Sequence, residues 1–529
     1  MMDSFPSDAT SVPMVPPPSP LEPTGIPHLD LVLGGGLPKG ALTVILGPPG
    51  SGKTTLASQI AFAAAQRGEK VLFLTALSEP TTKLLEHLRS YSFFAPNLVG
   101  RTVQVFSLQQ FFPPEGPITG KAIVAEVHRM KASVVVLDGF QGLRGQDTDF
   151  VAARRLLYDL GTQLSMLGTT SLVTAEADPR DTTLFPEMTT ADVLIGLYNT
   201  LLGVRTHRAL EVLKVRGKAA LPGLHGLAIN EIGVHVFPRL ETRLRHPFKV
   251  GWNKKTLSAT PAKRATFELP ELDTLLGGGL TRQTGTVLIG SPGTGKTLLA
   301  LQFLLAGVAE GEPGVYLGFR ETADQLVQKS EDFAWSQQLQ HALSARRGLT
   351  VHHWDPVELD PDHVATEVLA ALEQIGARRL VIDSLAEWER AIQRSSGAER
   401  VPDYLAAFLS LLRERGVTLL AIKEPTQGII TQPDFSVNEL TVLAENVVSM
   451  QHLIYQGKLH RILFVPKMRF SAHDETLRDF LITTPEGVRV LTPNEREQDI
   501  LIKLAEQQAA IQRREPPPQR SSPSEQEQH

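Results

Sequence analysis

The stretch Gly47–Thr54, GPPGSGKT, opens a helical segment directly after the apolar run Ala41–Leu46. A glycine-rich turn ending in Gly-Lys-Thr is the phosphate-binding loop pattern. Its glycines let backbone N–H groups crowd round a polyphosphate, where a helix N-terminus already favours negative charge. The nucleotide-binding set of this loop is Gly47, Gly50, Ser51, Gly52, Lys53, Thr54 and the following Thr55. Lys53 is expected to reach the β- and γ-phosphates and the Thr54 hydroxyl to hold Mg²⁺. The pattern recurs at Gly290–Thr297, GSPGTGKT, with Lys296 placed 243 residues after Lys53 (296 − 53). The matching set is Gly290, Gly293, Thr294, Gly295, Lys296, Thr297 and Leu298.

Working outward, apolar runs alternate with helical patterns. Lys70–Ala76, Val103–Phe106, Ser133–Leu137 and Thr170–Ala175 read as strands. Thr54–Gln66 (read as amphipathic), Pro80–Ser90, Lys121–Met130 and Val151–Leu167 read as helices. Such alternation predicts α/β domains with a mostly parallel, doubly wound sheet. After residue 190 the close spacing of Val193–Leu197, Arg208–Val215 and Val234–Phe237 suggests antiparallel strands added at the sheet edge. The same order returns from Phe267. FELPELDTLLGGGL restates the Leu29-Asp30 and triple-glycine pattern of Thr24–Gly40, and a β-rich segment recurs from Val447 to Val490. Repetition over so many elements indicates a duplicated domain.

The expected organisation is a disordered tail at 1–20, a first domain at 21–240, a linker at 241–260 and a second domain at 261–493. Residues 494–529 are read as a helix at Glu495–Gln512 followed by a disordered, Pro/Ser-rich tail. A basic cluster spans the linker region, with Arg243, Arg245, Lys249, Lys254 and Lys255. It reads first as a solvated linker and second as a contact for nucleic acid or an acidic partner.

The 529 residues carry 52 Lys+Arg against 57 Asp+Glu, a net charge of −5, and no cysteine. Disulfides, thiol catalysis and Cys-ligated zinc are thereby excluded. The balance does not single out nucleic acid or an anionic membrane. The N-terminus lacks the regions of a signal peptide, and no apolar run approaches the ~20 residues of a membrane span. The expectation is a soluble, cytoplasmic protein without a membrane partner.

Triphosphate hydrolysis needs a metal-holding carboxylate, a base that positions water and positive charge on the γ-phosphate. Asp138 ends SVVVL and Asp383 ends LVI, both at the mouth of an apolar strand, where a parallel sheet places its ligands. Both are candidate Mg²⁺ ligands, beside Thr54 and Thr297. Glu79 and Glu321, at the end of the strand that follows each loop's helix, are the candidate bases. Lys214 and Arg216, and likewise Lys467 and Arg469, place two cations on one face of a strand.

Together these residues resemble the KaiC family of RecA-like ATPases. The carrying motifs are TGIPHLDLVLGGGL, GPPGSGKTT, VVVLDG and LKVRG in the first half. In the second they are LDTLLGGGL, GSPGTGKT, LVIDS and PKMRFSAHDETLRDF, so the resemblance spans about residues 22–492. It implies tandem RecA-like domains in a homo-oligomeric ring, usually a hexamer, with ATP and Mg²⁺ bound between neighbouring subunits. The Lys-x-Arg pairs would reach the neighbour's nucleotide as trans-acting fingers. Some members also transfer phosphate to their own Ser and Thr residues near the second site.

This chain departs from the family pattern in three places. The family commonly shows two adjacent glutamates where this chain has Ser78-Glu79 and Arg320-Glu321. That predicts slow hydrolysis. The phosphorylated Ser-Thr pair of clock members falls near Thr441-Val442, where one hydroxyl remains. The first half reads Asp138-Gly139 against Asp383-Ser384 in the second. The leading expectation is therefore a KaiC-like ATPase that couples nucleotide state to ring conformation, with residual self-phosphorylation left open. A regulatory protein docking on the C-terminal tail is weighed against a plain disordered tail. Two alternatives stay open, a DNA-dependent ATPase with basic loops on single strands and a nucleotide-gated scaffold without much turnover.

Overall fold

The computed structural model describes residues 20–75, 80–111, 120–140, 150–181, 189–245, 264–425, 444–455, 458–469 and 471–491. The chain divides into two compact units, Met1–Phe248 and Lys249–His529.

The first unit is built on nine strands. These are β1 (Leu42–Gly47), β2 (Val71–Thr75), β3 (Val103–Ser107), β4 (Val134–Leu137), β5 (Thr170–Glu176), β6 (Val193–Leu202), β7 (Arg205–Val215), β8 (His225–Asn230) and β9 (Gly233–Phe237). Their order across the sheet is β9-β8-β7-β6-β1-β5-β4-β2-β3. The second unit repeats it with β10 (Gly285–Gly290), β11 (Gly314–Gly318), β12 (Leu349–His353), β13 (Arg379–Asp383), β14 (Thr418–Lys423), β15 (Asn446–Tyr455), β16 (Lys458–Met468), β17 (Arg478–Thr483) and β18 (Gly487–Val490). There the order is β18-β17-β16-β15-β10-β14-β13-β11-β12, the same arrangement strand for strand.

The apolar runs follow from burial on both sheet faces. Val71 and Phe73 join one core cluster and Leu72 and Leu74 the other; Val134 and Val136 oppose Val135 and Leu137 in the same way. Helix Lys53–Gln66 covers the first face and helix Phe150–Met166 the second. The Lys53–Gln66 helix does not have the amphipathic character expected of it. Ten of its 14 residues are buried, because sheet, aromatic residues and the late strands enclose most of its circumference.

The repeated Asp and triple glycine are structural. Thr24 donates to Asp30 Oδ1 from its N–H (2.9 Å) and its hydroxyl (2.7 Å), and Phe267 N–H donates to Asp273 Oδ1 (2.9 Å). Each ties the entry of its unit to a short helix. A Cβ at Gly36 would lie 2.6 Å from the Glu22 carbonyl, and one at Gly279 2.7 Å from that of Ala265. Only glycine permits this approach, and both residues hold positive φ.

Two expectations are corrected. The segment beginning at Val193 does not add an antiparallel strand: β6 pairs parallel with β1, as β15 does with β10. The antiparallel additions begin one strand later. Spacing alone does not encode strand direction, and here β6 must run back across the sheet to lie beside β1. The expected linker start is also helical, Leu240–Arg245, with Leu240 and Thr242 buried, so that stretch packs onto the first unit. The remaining linker, the two tails and the C-terminal helix lie outside the described residues.

His225 on β8 carries a pH prediction. It is fully buried, its Nδ1 accepts from the Arg239 N–H (2.9 Å), and its Nε2 faces the Leu221 carbonyl (3.1 Å). That pattern suits a neutral ring, and burial pushes its pKa down to about 4. The unfolded chain binds a proton near pH 6.5, so folding loses stability as pH falls from there toward 4. Between pH 6.5 and 5 this one group costs about 2 kcal/mol. Denaturant unfolding at the two pH values checks it: His225→Gln should be markedly less acid-sensitive, and an equal loss in both proteins would contradict the assignment.

Candidate active site

Both phosphate loops leave the carboxyl end of a central strand, β1 or β10, and turn into a helix at the lysine. Gly50, Gly52, Gly293 and Gly295 hold positive φ. At Gly52 a Cβ would strike Ile229 Cδ1 at 2.4 Å, and at Gly295 it would strike Ile482 and Phe480. The late strands thus press on the loop and leave room only for glycine. Gly47 is equally confined: a Cβ there would lie 2.5 Å from Ser51 Oγ and 2.8 Å from the Leu197 carbonyl, and one at Gly290 would strike the Met450 carbonyl.

Inside the first loop Lys53 Nζ donates to the carbonyls of Gly47 and Pro48, both at 3.0 Å; Lys296 Nζ donates to that of Ser291 at 2.8 Å. Burial lowers both ammonium pKa values, and nearby carboxylates oppose the shift. Each lysine is thus a partly desolvated cation held only by neutral carbonyls in direct contact, well prepared to exchange them for phosphate oxygens. Among the described residues Ser51 Oγ is buried without a partner, another polar group a ligand could satisfy; its counterpart Thr294 bonds the Ser291 carbonyl (2.8 Å). Thr55 is buried, and Leu298 packs on the core, so their side chains serve packing and only their backbone faces the helix start.

The structure brings the metal candidates of each half together. Thr54 Oγ1 lies 3.1 and 3.0 Å from the two Asp138 oxygens, and Thr297 Oγ1 donates to Asp383 Oδ2 at 2.7 Å. A hydroxyl beside one carboxylate fits Mg²⁺, which binds through one or two protein carboxylates, substrate phosphates and water. Among the described residues no group of three or more His, Cys, Asp or Glu could hold a metal. The two halves orient this carboxylate differently. Thr174 on β5 donates to Asp138 Oδ1 (2.6 Å), whereas Tyr316 on β11 donates to Asp383 Oδ2 (2.9 Å). Burial raises the Asp383 pKa, and the Thr297 and Tyr316 hydrogen bonds counter it.

Glu79 lies outside the described residues, as does Thr441. Glu321 follows β11 just before helix Ala323–Ser330; Lys329 engages one carboxylate oxygen, and Oε2 is buried without a partner among the described residues. Its charge raises the pKa of both Asp383 and Tyr316, which places it at the same mouth of the sheet.

The basic pairs stand elsewhere. Lys214 pairs in register with Leu194, and Arg216 N–H donates to the Asp192 carbonyl, whose carboxylate caps the Leu42 N–H (3.0 Å). Arg469 N–H likewise donates to Glu445, which binds the Gly285 N–H (3.1 Å), and Lys467 pairs with Val447. Both pairs therefore sit at the amino ends of β1 and β10. The loops leave the carboxyl ends, about 16 Å away along a strand. Arg216 is exposed, ion-paired to Asp192 at 3.2 Å, and burial with the adjacent arginine lowers the pKa of Lys214 and of Lys467.

Several neighbours of the loops carry no local sequence signal. Glu176 pairs in register with Gly47, and Glu424 follows Lys423, the partner of Ile289, so an acid flanks the first residue of each loop. Arg461, paired across β15–β16 with His452, donates from Nε to the Gly293 carbonyl (3.2 Å). Only strand register brings them there.

Comparison with known proteins agrees with the geometry. A family profile described as "ATPase: KaiC" matches residues 22–97, 119–241 and 267–495. The chain is 26% identical over 472 residues to "Circadian clock protein KaiC3" of Synechocystis sp., covering 87% of this chain and 89% of the relative. It is 25% identical over 482 residues to "Circadian clock oscillator protein KaiC" of Rippkaea orientalis, covering 87% and 86%. The Synechococcus elongatus protein of that description is 24% identical, with 87% of both chains covered. Among the described residues no helix is long and apolar enough to cross a membrane.

Proposed function

Because the chain belongs to the KaiC family of ATPases, we propose that it binds ATP at both loops and hydrolyses it slowly between subunits of a homo-oligomeric ring, coupling nucleotide state to ring conformation and to a partner. The observation that carries the reading is the separation of Lys214, Arg216, Lys467 and Arg469 from their own domain's loop. At the amino ends of β1 and β10 they stand a strand's length from the loop of their own domain, which supports a role for them at a site on a neighbouring subunit.

Lys53 and Lys296 would neutralise the β- and γ-phosphates from within each loop. Thr54 with Asp138, and Thr297 with Asp383, would hold Mg²⁺, which when bound offsets charge on the phosphate oxygens. Glu321 is the candidate base of the second site. Lys329 holds one oxygen of that carboxylate, so water would have to reach the other, Oε2, which is buried; this supports slow rather than brisk turnover. The same ion pair favours one second reading, a ring that ATP cements without chemistry at the second loop.

Native mass with and without ATP, read beside turnover, tests the proposal. It predicts a ring-sized species, near hexameric, that requires ATP, with turnover below about 1 per second, the low end of enzyme rates. Assembly without any turnover would select the scaffold. A chain that stays monomeric while hydrolysing ATP would overturn the inter-subunit site.

A further inference from the structure

The second site holds an arginine that the first lacks. Arg320 follows β11 by two residues; Gly318, which ends that strand, pairs with Asp383, and Phe319 N–H donates to the Asp383 carbonyl (2.9 Å). The guanidinium is thereby anchored beside the candidate metal carboxylate. Its two edges are held very differently.

One edge is clamped. Arg320 Nε and Nη2 both donate to Glu387 Oε1, at 3.1 and 2.8 Å. The Glu387 side chain is 3% exposed, and it is fixed further by the Ser384 hydroxyl and by Arg390 Nη2 (3.0 Å). The other edge is loose. Nη1 reaches Glu424 Oε1 at only 3.4 Å, and those side chains are 54% and 30% exposed. Glu424 follows Lys423, the register partner of Ile289, so it stands beside the start of the loop, and its charge acts on Lys296 as well. It is the first of the carboxylates that oppose the burial-driven fall of the Lys296 pKa. Glu424 is therefore shared between two cations where a polyphosphate would arrive with greater charge and several acceptor oxygens. Arginine suits such an exchange because its planar fork binds on two edges at once.

We infer that Arg320 is a phosphate-binding arginine of the second site, which exchanges Glu424 for the terminal phosphate of a nucleoside triphosphate while Glu387 holds its other edge. This rests on the reading that the second loop binds ATP. Terminal-phosphate selectivity follows from position: Arg320 lies with Asp383 and Glu321 at the metal and water side of the site, the side of the γ-phosphate. The first loop keeps the acid, Glu176, but Ala76–Glu79 contains no basic residue, so the device belongs to the second half alone. It gives that half a means of distinguishing ATP from ADP.

The test uses the full chain carrying Lys53→Ala, which leaves the second loop to be titrated with fluorescent ATP and ADP analogues. Arg320→Gln should weaken the ATP analogue about tenfold, the weight of a charge-assisted hydrogen bond, and leave the ADP analogue within about threefold. Glu424→Gln should tighten the ATP analogue several-fold, a gain that misfolding does not imitate. An unchanged ATP-to-ADP ratio in Arg320→Gln, or weaker ATP binding in Glu424→Gln, overturns the inference while the loop's nucleotide binding stands. If the Lys53→Ala chain binds neither analogue, the assignment of the second loop falls, and this inference with it.

Discussion

A chain carrying both Lys53→Ala and Lys296→Ala should bind ATP at least about a hundredfold more weakly than the unaltered protein, a loss of ~2.7 kcal/mol, and should fail to assemble in its presence. Each lysine is the cation inside its loop, partly desolvated and resting on backbone carbonyls rather than on a carboxylate in hydrogen-bond contact. Truncation removes the charge-assisted donor and leaves the glycine cradle to hold a polyphosphate with neutral N–H groups alone. The single variants separate the halves, each losing its own site and keeping the other. Calorimetric titration with ATP measures this, and unchanged affinity in the double variant would end the assignment of both loops.

The second large effect concerns the cations at the amino ends of β1 and β10. Arg216→Ala and Arg469→Ala should lower turnover about a hundred- to a thousandfold, at the modest end of what a finger arginine supplies. ATP affinity should change only a few-fold, because neither residue stands beside its own domain's loop. Arg216 is exposed and loosely paired with Asp192, and nothing in its own domain needs it buried. Mixing Arg216→Ala, Arg469→Ala chains with Lys53→Ala, Lys296→Ala chains should then restore part of the turnover. In mixed rings an intact loop meets an intact finger across some boundaries. Absence of rescue, with assembly intact, would show that the basic pairs act within one subunit or not at all.

Much of this was legible in the sequence because it is written locally and written twice. Each loop is a contiguous motif, and Asp138 and Asp383 end apolar runs that could only be buried parallel strands. The duplicated sheet order then follows from the duplicated pattern. What escaped reading depends on register between distant segments. The β8 strand, His225–Asn230, begins on a buried His-Gly pair, and β12 reads LTVHH, so neither shows clean alternation. The direction of β6 is a property of its path, not of its residues. Glu176 and Glu424 flank the loops only because β5 and β14 lie next to β1 and β10. Arg320 was visible as a departure from the expected pair of glutamates. Its role emerges only with Glu387, a helix away, and Glu424 on another strand.

The exchange of Thr174 for Tyr316 shows the limit from the other side. Both halves give the metal-site aspartate a hydroxyl, but from different neighbouring strands, so aligning the halves residue by residue would miss the equivalence. What the halves share is the hydroxyl-to-carboxylate hydrogen bond rather than the residue that supplies it.

The central claim is that one chain carries two nucleotide sites. Counting nucleotide bound per chain under saturating ATP and Mg²⁺, with the unaltered protein beside Lys53→Ala and Lys296→Ala, measures it directly. Two per chain, falling to one in either variant, is the predicted result. One per chain in the unaltered protein, or a count that neither substitution changes, would contradict it.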